Sequence, residues 1–204
     1  MLWRKTLLTA SIQKYLVNPA CNWEVKLSEI LENDRLKQSG KKFLKNNKIM
    51  MVITDVDGVL TDGSMYYSES GEFLKCFNSR DGMGFELLRL NNIIPVIITK
   101  ENSKIVLCRA AKIRVDEVHI GITDKLSKGL EILKKFDIRP QNVAFIGDDI
   151  NDVPLLEVVG FPCCPIDAED RVKSKVKYIC QSKGGRGAFR ELVNLIIDAK
   201  ENLK

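Results

Sequence analysis

Three carboxylates lie close together in the stretch ITDVDGVLTDG, which covers residues 53–63. Asp55, Asp57 and Asp62 follow an apolar run that ends at Ile53. Acidic side chains at the end of a buried strand are costly, because like charges repel one another and burial disfavours each ionised form. A divalent cation shared between carboxylates would offset that cost, so we expect a metal site here.

Three further polar clusters follow predicted strands or begin the next helix. They are Thr99-Lys100-Glu101, then Lys125, and finally Gly147-Asp148-Asp149 together with Asp152. In a doubly wound sheet, ligands bind beyond the carboxyl ends of the strands. We therefore expect these clusters to meet at the place where Asp55 and Asp57 lie.

The converging residues have the chemistry of a phosphoryl-transfer site. Hard oxygen ligands without histidine or thiolate favour Mg²⁺, and Lys125 and Thr99 add a positive charge and a hydroxyl that suit a phosphoryl group. Asp55 is placed as a nucleophile that forms an aspartyl-phosphate. Asp57, two residues on, is placed to protonate the leaving oxygen and then to activate water. Gly58 lets backbone N–H groups approach the phosphoryl oxygens.

The elements that must position these residues alternate along the chain. Short apolar segments followed by amphipathic ones predict an α/β fold, a doubly wound parallel sheet covered by helices on both faces. The predicted strands are residues 49–54, 94–99, 117–120, 143–147 and a short one near 160–163. The predicted helices are residues 83–91, 103–113, 124–136, 151–158 and 188–202. Residues 64–78 alternate with period two around a Gly-containing turn, which predicts an inserted β-hairpin.

Charge is distributed unevenly along the chain. Residues 1–50 hold ten Lys/Arg and four Asp/Glu, whereas the other 154 residues hold 22 and 23. We therefore expect residues 1–47 to form a basic helical extension and residues 48–204 to form the domain that carries the site. The extension lacks clustered arginines and interleaved aromatics, so neither nucleic acid nor a membrane is expected as a partner.

The composition argues against a membrane-spanning protein and against a zinc site. No apolar run approaches the ~20 residues that span a bilayer, and we expect a cytoplasmic protein. The six cysteines show no CxxC spacing and His119 is the only histidine, so a zinc site is not expected.

Four motifs of the chain resemble those of the haloacid dehalogenase superfamily of phosphohydrolases. They are DVDGVLTDG, the hydrophobic strand ending in Thr99, DKLSKG and GDDINDVPLL, and the resemblance covers residues 48–202. The hairpin, FNSRDGMG (77–84) and SKGGRGAFREL (182–192) look like the capless sugar-acid phosphatase branch. The resemblance implies a Rossmann-like fold without a cap domain. It also implies a homotetramer in which hairpins build a central barrel and neighbouring subunits complete the active sites.

The resemblance also implies roles for individual residues. Asp55 would be nucleophile and Mg²⁺ ligand, and Asp57 the acid/base that binds the metal through its carbonyl. Thr99 and Lys125 would hold phosphoryl oxygens. Asp148 would be the third protein ligand, with Asp149 supporting the metal's water shell. The implied substrate-binding residues are Gly58, Asn78, Arg80, Asp81, Gly82, Lys100 (where the family has Gly), Glu101, Arg109 and Lys112.

Two sugar-acid phosphates fit the resemblance. Nonulosonate 9-phosphate phosphatases are similar in having a Glu, an Arg and a Lys at the positions of Glu101, Arg109 and Lys112, a trio that the adjoining subunit would supply. Octulosonate 8-phosphate phosphatases usually show Thr-Gly-Arg at residues 99–101, although the GGRG of residues 184–187 is seen in them. We expect a keto-deoxynononate or acylneuraminate 9-phosphate as substrate. The alternative is 3-deoxy-octulosonate 8-phosphate, of lipopolysaccharide synthesis.

Two alternatives belong to other classes of protein. A non-catalytic tetramerising module, like the C-terminal domain of acylneuraminate cytidylyltransferases, would be expected to lose the nucleophile, the acid/base or a metal ligand, and here all are present. A receiver domain of two-component signalling also uses Asp, Thr, Lys and Mg²⁺. It lacks an Asp two residues beyond the phosphorylated one, whereas this chain has Asp57.

Overall fold

A parallel sheet of six strands forms the centre of the molecule. The computed structural model of the chain describes residues 38, 40 and 42–201. The strands lie in the order β5-β4-β1-β6-β7-β8, and every neighbouring pair is parallel. Their bounds are Met51–Thr54 (β1), Ile94–Ile98 (β4), Glu117–His119 (β5), Val143–Ile146 (β6), Phe161–Cys164 (β7) and Tyr178–Ile179 (β8). The predicted α/β fold is confirmed, and β8 is an addition to it.

Helices connect consecutive strands of this sheet, and a further helix follows β8. They are α1 (Ser79–Leu90), α2 (Lys104–Lys112), α3 (Lys125–Lys135), α4 (Val153–Leu156), α5 (Asp170–Lys173) and α6 (Ala188–Glu201). Two 3₁₀ turns, Pro140–Asn142 and Ile150–Asp152, precede β6 and α4. The helix predicted over residues 151–158 is therefore a 3₁₀ turn followed by one short α-helix, because Asp149 and Asp152 form a capping box and a proline opens α4.

Burial on both faces of the sheet explains the apolar runs. Along β1, Met51 and Ile53 pack in one hydrophobic cluster and Val52 packs in the other. Side chains of a strand alternate between faces, so a strand buried on both sides must be apolar throughout. All four residues of β1 and of β6 are buried.

The registers of the central strands place their carboxyl ends side by side. Thr54 of β1 lies opposite Ile97 of β4 and opposite Ile146 of β6. The residues that follow these three strands therefore emerge at the same edge of the sheet.

The predicted hairpin is present as a separate two-stranded sheet. Strands β2 (Tyr66–Ser68) and β3 (Gly71–Leu74) pair antiparallel, with a register shift between Tyr66 and Tyr67. Both strands are largely exposed, and Tyr67 and Phe73 are 65% and 71% accessible. The hairpin contacts the main core through Lys75, which is buried directly after β3, and through Glu72, which accepts a hydrogen bond from Ser103.

Most of the predicted basic extension, residues 1–47, lies outside the described residues. In the described part, residues 42–46 are helical and Leu44 is buried in the core. The ring of Phe43 stacks on that of Phe161 at 5.6 Å between centroids, and Lys177 Nζ lies over the Phe43 ring at 4.4 Å from its centroid. Among the described residues, no helix is long and apolar enough to cross a membrane.

Candidate active site

A buried lysine flanked by two carboxylates forms the centre of the site. Asp55 directly follows β1, and its backbone N–H donates to Ile146 of β6 at 3.0 Å. Lys125 opens α3, and its Nζ lies 2.9 Å from Asp55 Oδ2 and 2.6 Å from Asp152 Oδ1. Lys125 is only 1% exposed, so its charge is compensated by these two carboxylates rather than by bulk water.

Asp152 organises the loop that follows β6. Its Oδ2 accepts hydrogen bonds from the backbone N–H of Asp148 at 2.9 Å and from that of Asp149 at 3.3 Å. Its other oxygen accepts from Lys125 at 2.6 Å. One fully buried carboxylate therefore fixes both the loop and the lysine.

The carboxylate geometry fits a metal ion. Oxygens of Asp55, Asp148 and Asp152 lie within 4.8 Å of one another. Among the described residues, Oδ1 of Asp55 and Oδ1 of Asp148 are buried without a hydrogen-bond partner. A buried carboxylate oxygen is costly unless it is paired or bound to a cation. These orphaned oxygens are the atoms that a hard divalent cation would bind.

The electrostatics of the cluster lead to the same conclusion. Burial, followed by the charge of Asp152, raises the pKa of Asp55 to about 7 against the opposing effect of Lys125. Burial and the charges of Asp55 and Asp152 raise the pKa of Asp148 to about 8. A divalent cation would offset these penalties, because opposite charge favours the ionised carboxylate. The residues present therefore fit the predicted Mg²⁺ site.

Gly58 packs directly against the cluster. Its φ is +84°, and a Cβ at this position would lie 1.9 Å from Oδ2 of Asp148. No other L-amino acid fits without displacing that carboxylate. The glycine loop near the C-terminus supports the same turn, since Gly185 N–H donates to Val59 at 2.9 Å.

Asp57 is held at the side of the cluster by a residue that the sequence did not suggest. Oδ1 of Asp57 lies 2.6 Å from Lys75 Nζ and 3.2 Å from Thr61 Oγ1. Lys75 comes from the foot of the hairpin, 18 residues further along the chain. The alternation of residues 64–78 indicated a hairpin but gave no signal that this lysine turns inward.

The threonine predicted to hold phosphate lies at the expected edge of the sheet. Thr99 follows β4 and is buried, and its Oγ1 accepts from the backbone N–H of Glu101 at 3.4 Å. Lys100 is exposed and Glu101 is half-buried.

The residues around the start of α1 form a second group. Asn78 caps this helix by accepting from Arg80 N–H at 2.8 Å, and Arg80 is exposed. Asp81 is buried and accepts from the backbone N–H of Arg190 at 2.9 Å. Burial raises the pKa of Asp81 to about 6, although two backbone hydrogen bonds oppose the change.

Arg109 contacts this second group. Its guanidinium donates to the Asn78 carbonyl at 3.3 Å and lies 5.6 Å from the centroid of the Phe77 ring. A Cβ added to Gly82 would lie 2.6 Å from the same guanidinium. Lys112 is exposed, and no hydrogen bond or ion pair of the described residues joins Glu101, Arg109 and Lys112 to one another.

Asp149, the residue predicted to support the water shell of the metal, caps the 3₁₀ turn after β6. Its side chain is exposed and accepts from the backbone N–H of Ile150 at 2.7 Å, at the start of the 3₁₀ turn. It is Asp152 that joins Asp55 and Asp148 in the cluster. Asp152 had been placed in the converging set from the sequence without a role. Its position four residues beyond Asp148, in the motif GDDIND, was the available signal.

Comparisons with known proteins agree with the site. The sequence profile of the haloacid dehalogenase-like hydrolase family matches residues 20–192. The 3-deoxy-D-manno-octulosonate 8-phosphate phosphatase of Salmonella typhi is 39% identical over 159 residues, which cover 78% of this chain and 85% of the relative.

Solved structures resemble the chain as closely. The same phosphatase from Yersinia pestis superimposes with a TM-score of 0.77 at 38% identity, covering 81% of this chain and 88% of the other. That from Moraxella catarrhalis, in complex with a magnesium ion, a phosphate ion and a 3-deoxy-octulosonate (KDO) molecule, has a TM-score of 0.75 at 32% identity, covering 83% and 94%. These matches, together with the Asp55, Lys125 and Asp148 centre, establish that the chain is a phosphatase and belongs to the haloacid dehalogenase-like hydrolase family.

Proposed function

We propose that the chain hydrolyses 3-deoxy-D-manno-octulosonate 8-phosphate to the free sugar acid and inorganic phosphate, with Mg²⁺ as cofactor. The observation that carries the proposal is the 39% identity to an octulosonate phosphatase over 85% of its length. The complex of a structural neighbour with magnesium, phosphate and the sugar acid supports both substrate and metal. These comparisons favour the octulosonate substrate over the nonulosonate that Glu101 suggests.

The first half of the reaction transfers the phosphoryl group to Asp55. The Asp55 carboxylate attacks phosphorus, the bond between phosphorus and the sugar oxygen breaks, and Asp57 donates a proton to that oxygen. Lys125 and Thr99 hold phosphoryl oxygens and orient the group for in-line attack. Asp55, Asp148 and the carbonyl of Asp57 would hold Mg²⁺, which would supply positive charge that offsets the negative charge of the carboxylates and the phosphoryl group.

The second half restores the enzyme. The Asp57 carboxylate, now without its proton, takes one from water, and the water oxygen attacks phosphorus. The bond between phosphorus and Asp55 breaks, inorganic phosphate leaves, and Asp57 again carries the proton. The buried Lys125, which pairs with Asp55 and Asp152 in the structure, keeps the side chain of Asp55 oriented for both steps.

We also propose that the enzyme is a homotetramer that assembles through its hairpins. A two-stranded hairpin is marginally stable alone in water, and here it exposes Tyr67 and Phe73 away from the main core. Contiguous exposed apolar side chains mark interaction surfaces. Light scattering should give four times the chain mass for the wild type and a lower mass for a Tyr67→Ser/Phe73→Ser variant. A monomeric wild type would refute the proposal.

The substrate is tested by comparing two sugar-acid phosphates at saturating Mg²⁺. The value of kcat/KM should be at least about tenfold higher for octulosonate 8-phosphate than for nononate 9-phosphate, a difference of roughly 1.4 kcal/mol in transition-state binding. Asp55→Asn should release no phosphate from either substrate, because it lacks the nucleophile. A preference for the nononate would instead assign the enzyme to the nonulosonate 9-phosphate phosphatases, which carry a Glu at the position of Glu101. Full activity of Asp55→Asn would refute the mechanism.

A further inference from the structure

Lys75 is a buried cation that the proposed reaction does not yet use. It follows β3 at the foot of the hairpin, and its side chain is fully buried. Its Nζ lies 2.6 Å from Oδ1 of Asp57 and 2.8 Å from Oε1 of Glu72. A buried lysine persists only with such partners, because an unpaired ammonium inside a protein is strongly disfavoured.

The two oxygens of Asp57 have different surroundings. Oδ1 accepts from Lys75 and also from the hydroxyl of Thr61 at 3.2 Å. Oδ2 is buried and has no hydrogen-bond partner among the described residues. The ion pair with Lys75 therefore favours one orientation of the Asp57 carboxyl group, in which only Oδ2 is available for proton transfer.

Lys75 is itself held in place by Glu72. Glu72 pairs with Lys75 and also accepts a hydrogen bond from Ser103, the residue that precedes α2. Ser103 is buried, so this anchor belongs to the folded core rather than to the exposed part of the hairpin. A chain of Ser103, Glu72, Lys75 and Asp57 thus runs from α2 to the site through side-chain contacts alone.

We propose that Lys75 is the positioning residue of the acid/base, holding Oδ1 of Asp57 so that Oδ2 carries the proton to and from the reacting oxygens. In the first half-reaction Oδ2 gives its proton to the departing sugar oxygen, and in the second it accepts one from water. Lys75 keeps its own protons in both steps. The inference rests on the proposed acid/base role of Asp57.

The test compares two phosphate esters whose leaving groups differ in how much they need a proton from the acid. An alkyl phosphate such as the sugar-acid 8-phosphate expels a poor leaving group that needs a proton, whereas p-nitrophenyl phosphate expels a stable phenolate that needs little help. The value of kcat/KM reports the steps up to departure of the leaving group. Lys75→Met should lower it at least about tenfold for the alkyl ester and less than about threefold for the aryl ester. Both values come from one preparation, so the fraction of active enzyme cancels in their ratio.

Control variants separate this inference from the proposed function. Lys75→Arg keeps a cation and should restore most of the alkyl-ester activity. Asp57→Asn should show a larger loss of the same selective kind, and the double variant should lose no more than Asp57→Asn alone, since coupled residues are not additive. Lys173→Met removes a half-buried lysine that pairs with Asp170 and should change neither rate.

Each remaining outcome has a distinct meaning. If Lys75→Met lowers kcat/KM equally for both esters, so that the ratio of the alkyl-ester value to the aryl-ester value is unchanged, the positioning role is overturned while Asp57 remains the acid. Equal losses of Asp57→Asn on both esters would overturn the acid role in the proposed function itself. If Lys75→Met does not fold, Lys75→Gln is measured instead, and the same ratio decides.

Discussion

Replacing Gly58 with alanine should damage the metal site more than the fold. The added Cβ would lie 1.9 Å from Oδ2 and 2.4 Å from Cγ of Asp148, far inside van der Waals contact. These atoms belong to the side chain of Asp148, whose backbone N–H is bonded to Asp152, so the methyl group can be accommodated only by moving the Asp148 carboxyl group. The movement needed is more than about 1 Å, since real Cβ contacts are rarely closer than about 3.4 Å.

Two separate costs follow from this geometry. An L-residue at φ +84° costs roughly 1–2 kcal/mol of backbone strain, which should lower Tm by about 2–8 °C in a domain of this size. Misplacing a reacting or ligating group by about 1 Å costs on the order of 10² in rate. We therefore expect kcat/KM to fall about a hundredfold, while the protein stays folded at 25 °C.

Gly63→Ala is the matched control. Its φ of +76° imposes nearly the same strain, but an added Cβ would meet its nearest atom at 3.6 Å, an ordinary contact. The two variants should therefore lose similar stability, measured by thermal unfolding without metal. Only Gly58→Ala should also lose the rise in Tm that Mg²⁺ produces by binding the folded state. The reasoning is refuted if Gly58→Ala keeps activity and the metal-dependent rise in Tm at the level of Gly63→Ala.

Two further predictions concern buried charge. Lys125→Met removes the cation between Asp55 and Asp152, so its free energy of unfolding in urea should fall by about 3–5 kcal/mol. Lys128→Met, one turn along α3, is the control and should stay within about 0.5 kcal/mol of wild type. Equal losses in the two variants would contradict the stabilising role of the buried ion pairs. Asp81 has a pKa raised from 3.8 to about 6 by burial, so the folded state holds this proton more tightly and stability falls as pH rises through that window. Asp81→Asn, which keeps an acceptor oxygen, should gain stability of roughly 1–3 kcal/mol at pH 8 and less at pH 4, and a constant difference between the two pH values would contradict this.

The sheet and its edge could be predicted because they depend on rules that act locally. Apolar runs such as residues 51–54 mark strands buried on both faces, and parallel strands bring their carboxyl ends together. The convergence of Asp55, Lys125 and Asp148 follows from those two facts alone. The hairpin was predicted for the same reason, since its alternation and its glycine are visible within one short segment.

What the sequence could not predict depends on contacts between distant residues. Helix α1 begins at Ser79 rather than near Met83, although Gly82 and Gly84 are weak helix formers. The ring of Phe189 from α6 packs where a Cβ of Gly84 would lie, so close packing favours glycine there. In the same way, Lys75 in an exposed hairpin is indistinguishable by pattern from a solvated lysine until its partner Asp57 is known.

The exposed strands of the hairpin and the buried Lys75 at its foot therefore have separate proposed roles. Its exposed strands carry the apolar side chains of Tyr67 and Phe73, which we propose bind other subunits, and its buried foot holds Asp57 through Lys75. An isolated two-stranded sheet has little stability of its own, so the exposed strands need contacts beyond the hairpin to stay ordered. Within one subunit, Glu72 binds both Lys75 and Ser103 and so ties β3 to the core. Subunit contacts would then order the rest of the hairpin, so that one inserted element serves both the proposed assembly and the orientation of the acid/base.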